Sequence, residues 1–169
     1  VTDGITTVDL SGDTTATGDN VIDADAITGA TGMTLTGSAG NDTITGTDNV
    51  DTIDGGAGDD TITGGAGADS LTGGDGDDTF VYAATSELFN SNALVDTTLS
   101  GGADTDSIVI SNNGGSTFTI TSSDDFDGIS SVEQITAAAT DTAISITLHA
   151  DAVTDGITTV DLSGDTTAT

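Results

Sequence analysis

Six aspartates stand at one fixed place in a nine-residue phrase: Asp42, Asp51, Asp60, Asp69, Asp78 and Asp106. The phrase is clearest over 55–81, which reads GGAGDDTIT, GGAGADSLT, GGDGDDTFV. Glycine fills places one, two and four, aspartate fills place six, and a large apolar residue fills place eight. Aspartate supplies a hard, charged oxygen. Glycine lets the backbone turn tightly through positive φ and leaves carbonyl oxygens free to point at a cation. A chain that repeats such a phrase builds rows of oxygen, and the chemistry of such rows is the binding of small hard cations.

The overall charge points the same way. The 169 residues include 29 acids, no Lys, no Arg and one His, a formal charge of −29. Charge on this scale drives a compact state apart unless counter-ions hold it together. Nothing in the chain can neutralise a phosphate, which excludes nucleic acid and an anionic membrane surface as partners. Ca²⁺ is the cation that carboxylate and carbonyl oxygens bind best in flexible loops. With no Cys, disulfides and thiolate metal sites are excluded, and the usage is that of a secreted bacterial-type protein. No apolar run approaches a membrane span, so direct membrane insertion is not expected. The chain lacks an initiator Met and a leader-like start, and is expected to be an excerpt of a longer one. Without cation, this composition predicts disorder; with cation, the periodic apolar residues predict order.

Counted from Gly37, five copies follow one another: GSAGNDTIT, GTDNVDTID, GGAGDDTIT, GGAGADSLT and GGDGDDTFV. A partial sixth, GGADTDSIV, occupies 101–109, and copy two has Thr47 and Asn49 where glycine is the rule. The phrase resembles the RTX repeat, Gly-Gly-x-Gly-x-Asp-x-(large apolar)-x, closely over 37–81 and partially over 101–109. The resemblance implies a parallel β-roll in which each nonapeptide makes half a turn and each loop stacks on the next but one. It implies Ca²⁺ between stacked loops, with Asp42 paired to Asp60, Asp51 to Asp69 and Asp60 to Asp78, and Asp106 as the acid of the sixth copy. The carbonyls of Gly40, Gly56, Gly58, Gly65, Gly67, Gly74 and Gly76 would complete the shell. Six oxygens from two turns suit Ca²⁺ better than Mg²⁺, which demands tight octahedral geometry. Ile44, Ile53, Ile62, Leu71 and Phe80, at place eight, are expected to point into the core, with their Thr neighbours facing outward. Calcium thus takes the part that basic residues would play. About three to five ions would cancel only about six to ten charges, leaving the rest on the surface.

Longer repeats frame this block. Residues 1–17, VTDGITTVDLSGDTTAT, return unchanged as 153–169, which points to tandem units of 152 residues. DGISSVE at 127–133 resembles DGITTVD at 155–161, and ADAVT at 150–154 resembles ADAIT at 24–28. Around them lie short β-compatible stretches: Ile129, Val132 and Ile135; Ile144, Ile146 and Leu148; Ile157, Val160 and Leu162. Coils of about 26–28 residues with short strands predict an all-β parallel solenoid. The expected organisation is solenoid coils over 1–36, the nonapeptide roll over 37–81, and an interrupting loop or short helix over 82–100. Then come the partial copy and further coils over 101–152, and the start of the next unit over 153–169. Leu88, Phe89, Leu94 and Val95 would seat the interruption against the roll. Six or seven turns at ~4.8 Å each make a rod of roughly 3 nm per unit.

No enzyme is expected. The sequence has no His-Glu-x-x-His, no Gly-x-Ser-x-Gly and no Cys, and a thin solenoid offers no walled cleft for an acid pair. Asp3, Asp13, Asp19 and Asp141 read as turn residues rather than ligands. An EF-hand over SSDDFDGISSVEQ fails because Ser123 and Gln134 fall where Asp and Glu belong, which leaves Asp124, Asp125 and Asp127 as weak cation binders at most. His149 alternates with Ile146 and Leu148 and is expected to face outward. The resulting expectation is a structural repeat unit of a long secreted calcium-stabilised fibre, adhesin stalk or surface layer. Its partners would be neighbouring identical units, with lateral association through divalent cations and export by a type I-like route. Two alternatives stand beside it: a ligand-binding adhesin module for glycan or cell surface, and the secretion and folding tail of a secreted enzyme. Ice binding is disfavoured because places three and five show no outward row of Thr and Asn.

Overall fold

The computed structural model describes residues 5–27, 31–91, 93–111, 117–138, 143–148 and 150–164. Asp3, Asp141 and His149 lie outside these. Short strands, mostly of three or four residues, alternate between two sides of a coil: β1 (Thr7–Asp9), β2 (Val21–Asp23), β3 (Thr34–Thr36), β4 (Thr43–Thr45), β5 (Thr52–Ala57), β6 (Thr61–Thr63), β7 (Ser70–Asp75) and β8 (Thr79–Tyr82). A helical turn, α1 (Thr85–Leu88), and an antiparallel hairpin, β9 (Phe89–Asn90) with β10 (Ala93–Leu94), form the interruption. The coil resumes with β11 (Thr98–Ala103), β12 (Ser107–Ile110), β13 (Phe118–Ile120), β14 (Ile129–Ser130), β15 (Gln134–Ala137) and β16 (Ile144–Ile146). It ends in α2 (Ala150–Thr154) and β17 (Thr159–Asp161).

All the sheets of the coil are parallel. The first sheet runs β1-β3-β5-β7-β11-β14 and the second β17-β15-β12-β8-β6-β4-β2. Inside the nonapeptide block the register advances by two phrases, as in Ile44↔Ile62 and Ile53↔Leu71, so each phrase is half a turn. The alternation in Thr-Ile-Thr explains the strands. Both threonines suit a pleated ribbon, and only the central side chain turns inward. One apolar residue per strand therefore makes one rung of the core. Val8, Leu35, Ile53, Leu71, Leu99 and Ile129 stack along the first sheet. Ile22, Ile44, Ile62, Phe80, Ile108, Ile135 and Val160 stack along the second. The place-eight residues Ile44, Ile53, Ile62, Leu71 and Phe80 are all buried, and each contributes roughly 1.5–3 kcal/mol.

Beyond the interruption the coil gains a third side. β13 pairs with β16 in a small parallel sheet of its own, adding Phe118 and Ile120 to the core. There Ile129, Val132 and Ile135 mark a corner rather than one strand: Ile129 lies in the first sheet, Ile135 in the second, and buried Val132 between them. The likeness of DGISSVE to DGITTVD does not set the register either. Val160 stacks on Ile135 instead of its sequence counterpart Val132. The interruption is anchored as its apolar residues require, with Leu88 and Phe89 buried and the Phe89 ring edge-on to Phe126 at 5.1 Å.

Candidate metal centre

The half-turn period brings the place-six aspartates into two rows, one along each edge of the roll. On the first edge the N–H of Asp42 donates to Asp60 Oδ1 (2.7 Å), Asp60 to Asp78 (2.8 Å), and Asp78 to Asp106 (2.8 Å). On the other edge Asp51 donates to Asp69 Oδ1 (2.8 Å). The expected pairs Asp42–Asp60, Asp51–Asp69 and Asp60–Asp78 are thus stacked neighbours. Each carboxylate uses one oxygen to hold the preceding coil in register.

The other oxygen divides the six. In the first two copies a non-glycine residue at place two turns its N–H onto the carboxylate: Ser38 donates to Asp42 Oδ2 and Thr47 to Asp51 Oδ2, both at 2.6 Å. In the later copies place two is Gly56, Gly65, Gly74 or Gly102, all at positive φ, and no such bond forms. The Oδ2 atoms of Asp60, Asp69, Asp78 and Asp106 are buried without any hydrogen-bond partner. Burial lifts these carboxyls, Asp60 and Asp106 to about 6 and Asp69 and Asp78 to about 7, against the opposing pull of the backbone N–H each accepts; neighbouring acids add to the rise.

Carbonyls crowd the same edges. A Cβ on Gly74 would collide with the carbonyl of Gly56, and one on Gly102 with that of Gly74. Gly58 stacks likewise on Gly40 and Gly76 on Gly58, while Gly65 lies over Thr47 and Gly67 over Asn49. Place-one glycines have a different reason from the one expected. Gly55, Gly64 and Gly73 are not at positive φ; a Cβ there would strike the Oδ2 of their own loop's aspartate. Gly40 is also outside the positive-φ set, and its Cβ would press on the Gly18 backbone.

Three members of these rows were not legible from the nine-residue spacing. Asp96, in the interruption, takes the N–H of Asp69 on Oδ1 (3.0 Å) and the Tyr82 hydroxyl on Oδ2, replacing a missing loop. Glu133 accepts from the N–H of Asp106 (2.9 Å), and Asn20 donates its N–H to Asp42 Oδ1 (2.7 Å), extending the first row at both ends. An outer row runs in the opposite sense along the same edge. Asn41 donates to Asp19, Asp59 to Asn41, Asp77 to Asp59 and Thr105 to Asp77, at 2.8–3.2 Å. Of the scattered acids, Asp13 behaves as a turn residue, holding Thr15, and Asp124 caps Thr121 through its Oδ2 (2.6 Å), whereas Asp19, expected as a turn residue, instead joins two coils in the outer row. Asp125 likewise takes the N–H of Asp127 (2.9 Å).

Residues 34–62 and 45–80 match the RTX calcium-binding nonapeptide repeat family (4 copies). This stretch is an RTX repeat block. RTX nonapeptide repeats bind calcium and are typical of secreted proteins. No curated protein and no solved structure matches the chain.

The donors in the RTX block fit that ion. Among the described residues no three acidic or imidazole side chains converge as a cluster. An ion here would draw on one or two carboxylates and on the backbone carbonyls that the glycines let through, a hard oxygen set of the kind Ca²⁺ takes. The four unpartnered oxygens are the buried charges such an ion would satisfy. No helix among the described residues is long and apolar enough to cross a membrane.

Proposed function

We propose that this chain is a non-catalytic structural unit of a long, secreted, calcium-stabilised fibre, adhesin stalk or surface-layer protein. The observation that carries the proposal is the continuity of the two parallel sheets. They run from β1 and β2 to β14 and β17, through and beyond the interruption, so the whole chain serves to stack coils. The unchanged return of residues 1–17 at 153–169 supplies the means of repeating that stack.

Calcium is assigned to the loops of Asp60, Asp69, Asp78 and Asp106, the four with an unpartnered oxygen. Carbonyls of Gly56, Gly58, Gly65, Gly67, Gly74 and Gly76 contribute from the stacked turns. Asp42 and Asp51, satisfied by N–H groups on both oxygens, start the rows as metal-free caps. The bound ion neutralises buried carboxylates that otherwise repel one another, so folding waits for calcium. A chain poor in calcium stays extended enough for export by a type I-like route and sets outside the cell. The exposed row of Asp19, Asp59 and Asp77 offers divalent cations a bridge to a neighbouring rod.

Electron microscopy of chains with one, two and four units in millimolar Ca²⁺ tests the structural role. Rods should lengthen in proportion to unit number, by about 3 nm each at ~4.8 Å per coil. Compact particles of unchanged length would contradict it.

A further inference from the structure

The 17-residue peptide found twice occupies two different places. In its first copy, β1 opens the first sheet by pairing with β3, Val8 against Leu35. In its second copy, β17 ends the second sheet by pairing with β15, Val160 against Ile135. The same sequence thus lies in opposite sheets at the two ends of the coil.

The two pairings use opposite edges of the strand. A parallel strand turns the N–H and C=O of alternate residues to alternate sides. In β1 the carbonyl of Thr6 accepts from Thr34 and the N–H of Leu10 donates to Thr36, both at 2.9 Å, so Thr6, Val8 and Leu10 face the following coil. In β17 the N–H of Thr159 donates to Glu133 at 3.0 Å, sharing that acceptor with Thr158 at the strand's entrance. Thr159 and Asp161, the counterparts of Thr7 and Asp9, therefore face the preceding coil. The edge bearing Val160 and Leu162 has no strand beside it among the described residues.

Burial is complementary as well. Ile5 is 70% exposed, while its counterpart Ile157 is 2% exposed and belongs to the core. Val8 is half-buried beneath its following coil, whereas Val160, lacking one, is 39% exposed. The local turn is the same in both copies: Asp9 accepts the N–H of Ser11 and Asp161 that of Ser163, each at 2.9 Å.

We infer that consecutive units fuse head to tail by sharing this peptide as one strand, whose one edge closes the second sheet of a unit and whose other edge opens the first sheet of the next. The inference rests on the tandem-array reading above and names the partner of each end: another copy of this unit. No linker separates the units. The first sheet of each unit continues the second sheet of the one before, so each unit's interruption emerges on a different side of the rod from its neighbour's.

Amide exchange read by NMR tests this on the 169-residue chain and on a chain of residues 1–152 followed directly by 1–169, both in Ca²⁺. In the single unit, Thr159 and Asp161 should be protected and Val160 and Leu162 should exchange freely. At the junction of the longer chain all four should be protected, with Val160 and Leu162 slowed at least ~100-fold. Unchanged exchange at Val160 and Leu162 would overturn strand sharing while leaving the calcium-stabilised unit intact. Failure of the single unit to fold in Ca²⁺ would instead strike at the proposed function. Should only the longer chain fail to fold, Ile5→Asp and Ile157→Asp in the single unit decide. Strand sharing requires a lowered melting temperature for the second alone, and equal effects would overturn it.

Discussion

The backbone N–H of Asp60 donates to Oδ1 of Asp78 at 2.8 Å, while Oδ2 of Asp78 is buried with no partner. One side chain thus performs two tasks. Its first oxygen fixes the register between coils, and its second is the one proposed above to meet an ion.

Replacement at this position should separate the tasks. Asp78→Asn removes the charged oxygen from a loop assigned to calcium and should weaken calcium binding by about tenfold or more. It should also remove an ion from the count measured by titration calorimetry. Asp51→Asn should lower stability by about 1–3 kcal/mol, since Met33 and Thr47 both donate N–H groups to that carboxylate, but leave the ion count unchanged. Equal losses of ions in the two variants would contradict the division.

Acid should partly replace calcium. Asp60 and Asp106 are raised to about 6 and Asp69 and Asp78 to about 7, above the ordinary value of about 3.9. The metal-free fold therefore holds protons that the unfolded chain has already released. Its stability is greatest below about pH 4 and is lost as pH rises through 6 to 7. Circular dichroism in chelator should show more β-structure at pH 4.5 than at pH 8. Calcium affinity should fall as pH drops below about 7, because protons compete for the same oxygens. A pH-independent spectrum in chelator would contradict this.

Gly74→Ala should be damaging for a reason independent of the ion. Gly74 is at φ +130, and its Cβ would meet the carbonyl of Gly56 in the stacked loop. The strained backbone alone costs roughly 1–2 kcal/mol, and the displaced carbonyl should weaken calcium binding as well. Thermal melting at fixed calcium checks the first effect and calcium titration the second.

Tyr82 is the sole tyrosine in a chain without Trp. Its hydroxyl donates to Asp96, where the interruption substitutes for a loop. Burial, then the nearby Asp96 charge, holds the phenol well above its ordinary pKa. Tyr82→Phe should leave a buried carboxylate oxygen unpaired and cost about 1–3 kcal/mol. In the unaltered chain, tyrosine fluorescence should report the closing of this coil as calcium is added.

The sequence made the roll legible because its rules are local. A nine-residue period with one apolar place is enough to put Ile62 and Phe80 on one rung. Glycine and aspartate places were legible as oxygen rows for the same reason. The three-sided coils were not, because their corners depend on where Val132 and Phe118 find space rather than on a period. Asp96 and Glu133 are not marked by the nine-residue period because their partners lie 27 residues away, across irregular loops. The difference between Asp42 and Asp60 was hidden for a subtler reason. It turns on whether the place-two residue points its N–H at the carboxylate, a matter of backbone geometry rather than of acid spacing.

Calcium-linked folding is tested most directly by far-UV circular dichroism of the chain with millimolar Ca²⁺, with Mg²⁺, and with excess chelator at pH 8. The prediction is a coil spectrum in chelator that becomes β-rich with Ca²⁺ and not with Mg²⁺. A β-rich spectrum unchanged by chelator would mean that the buried aspartates serve only to hold turns, and the calcium assignment would be wrong.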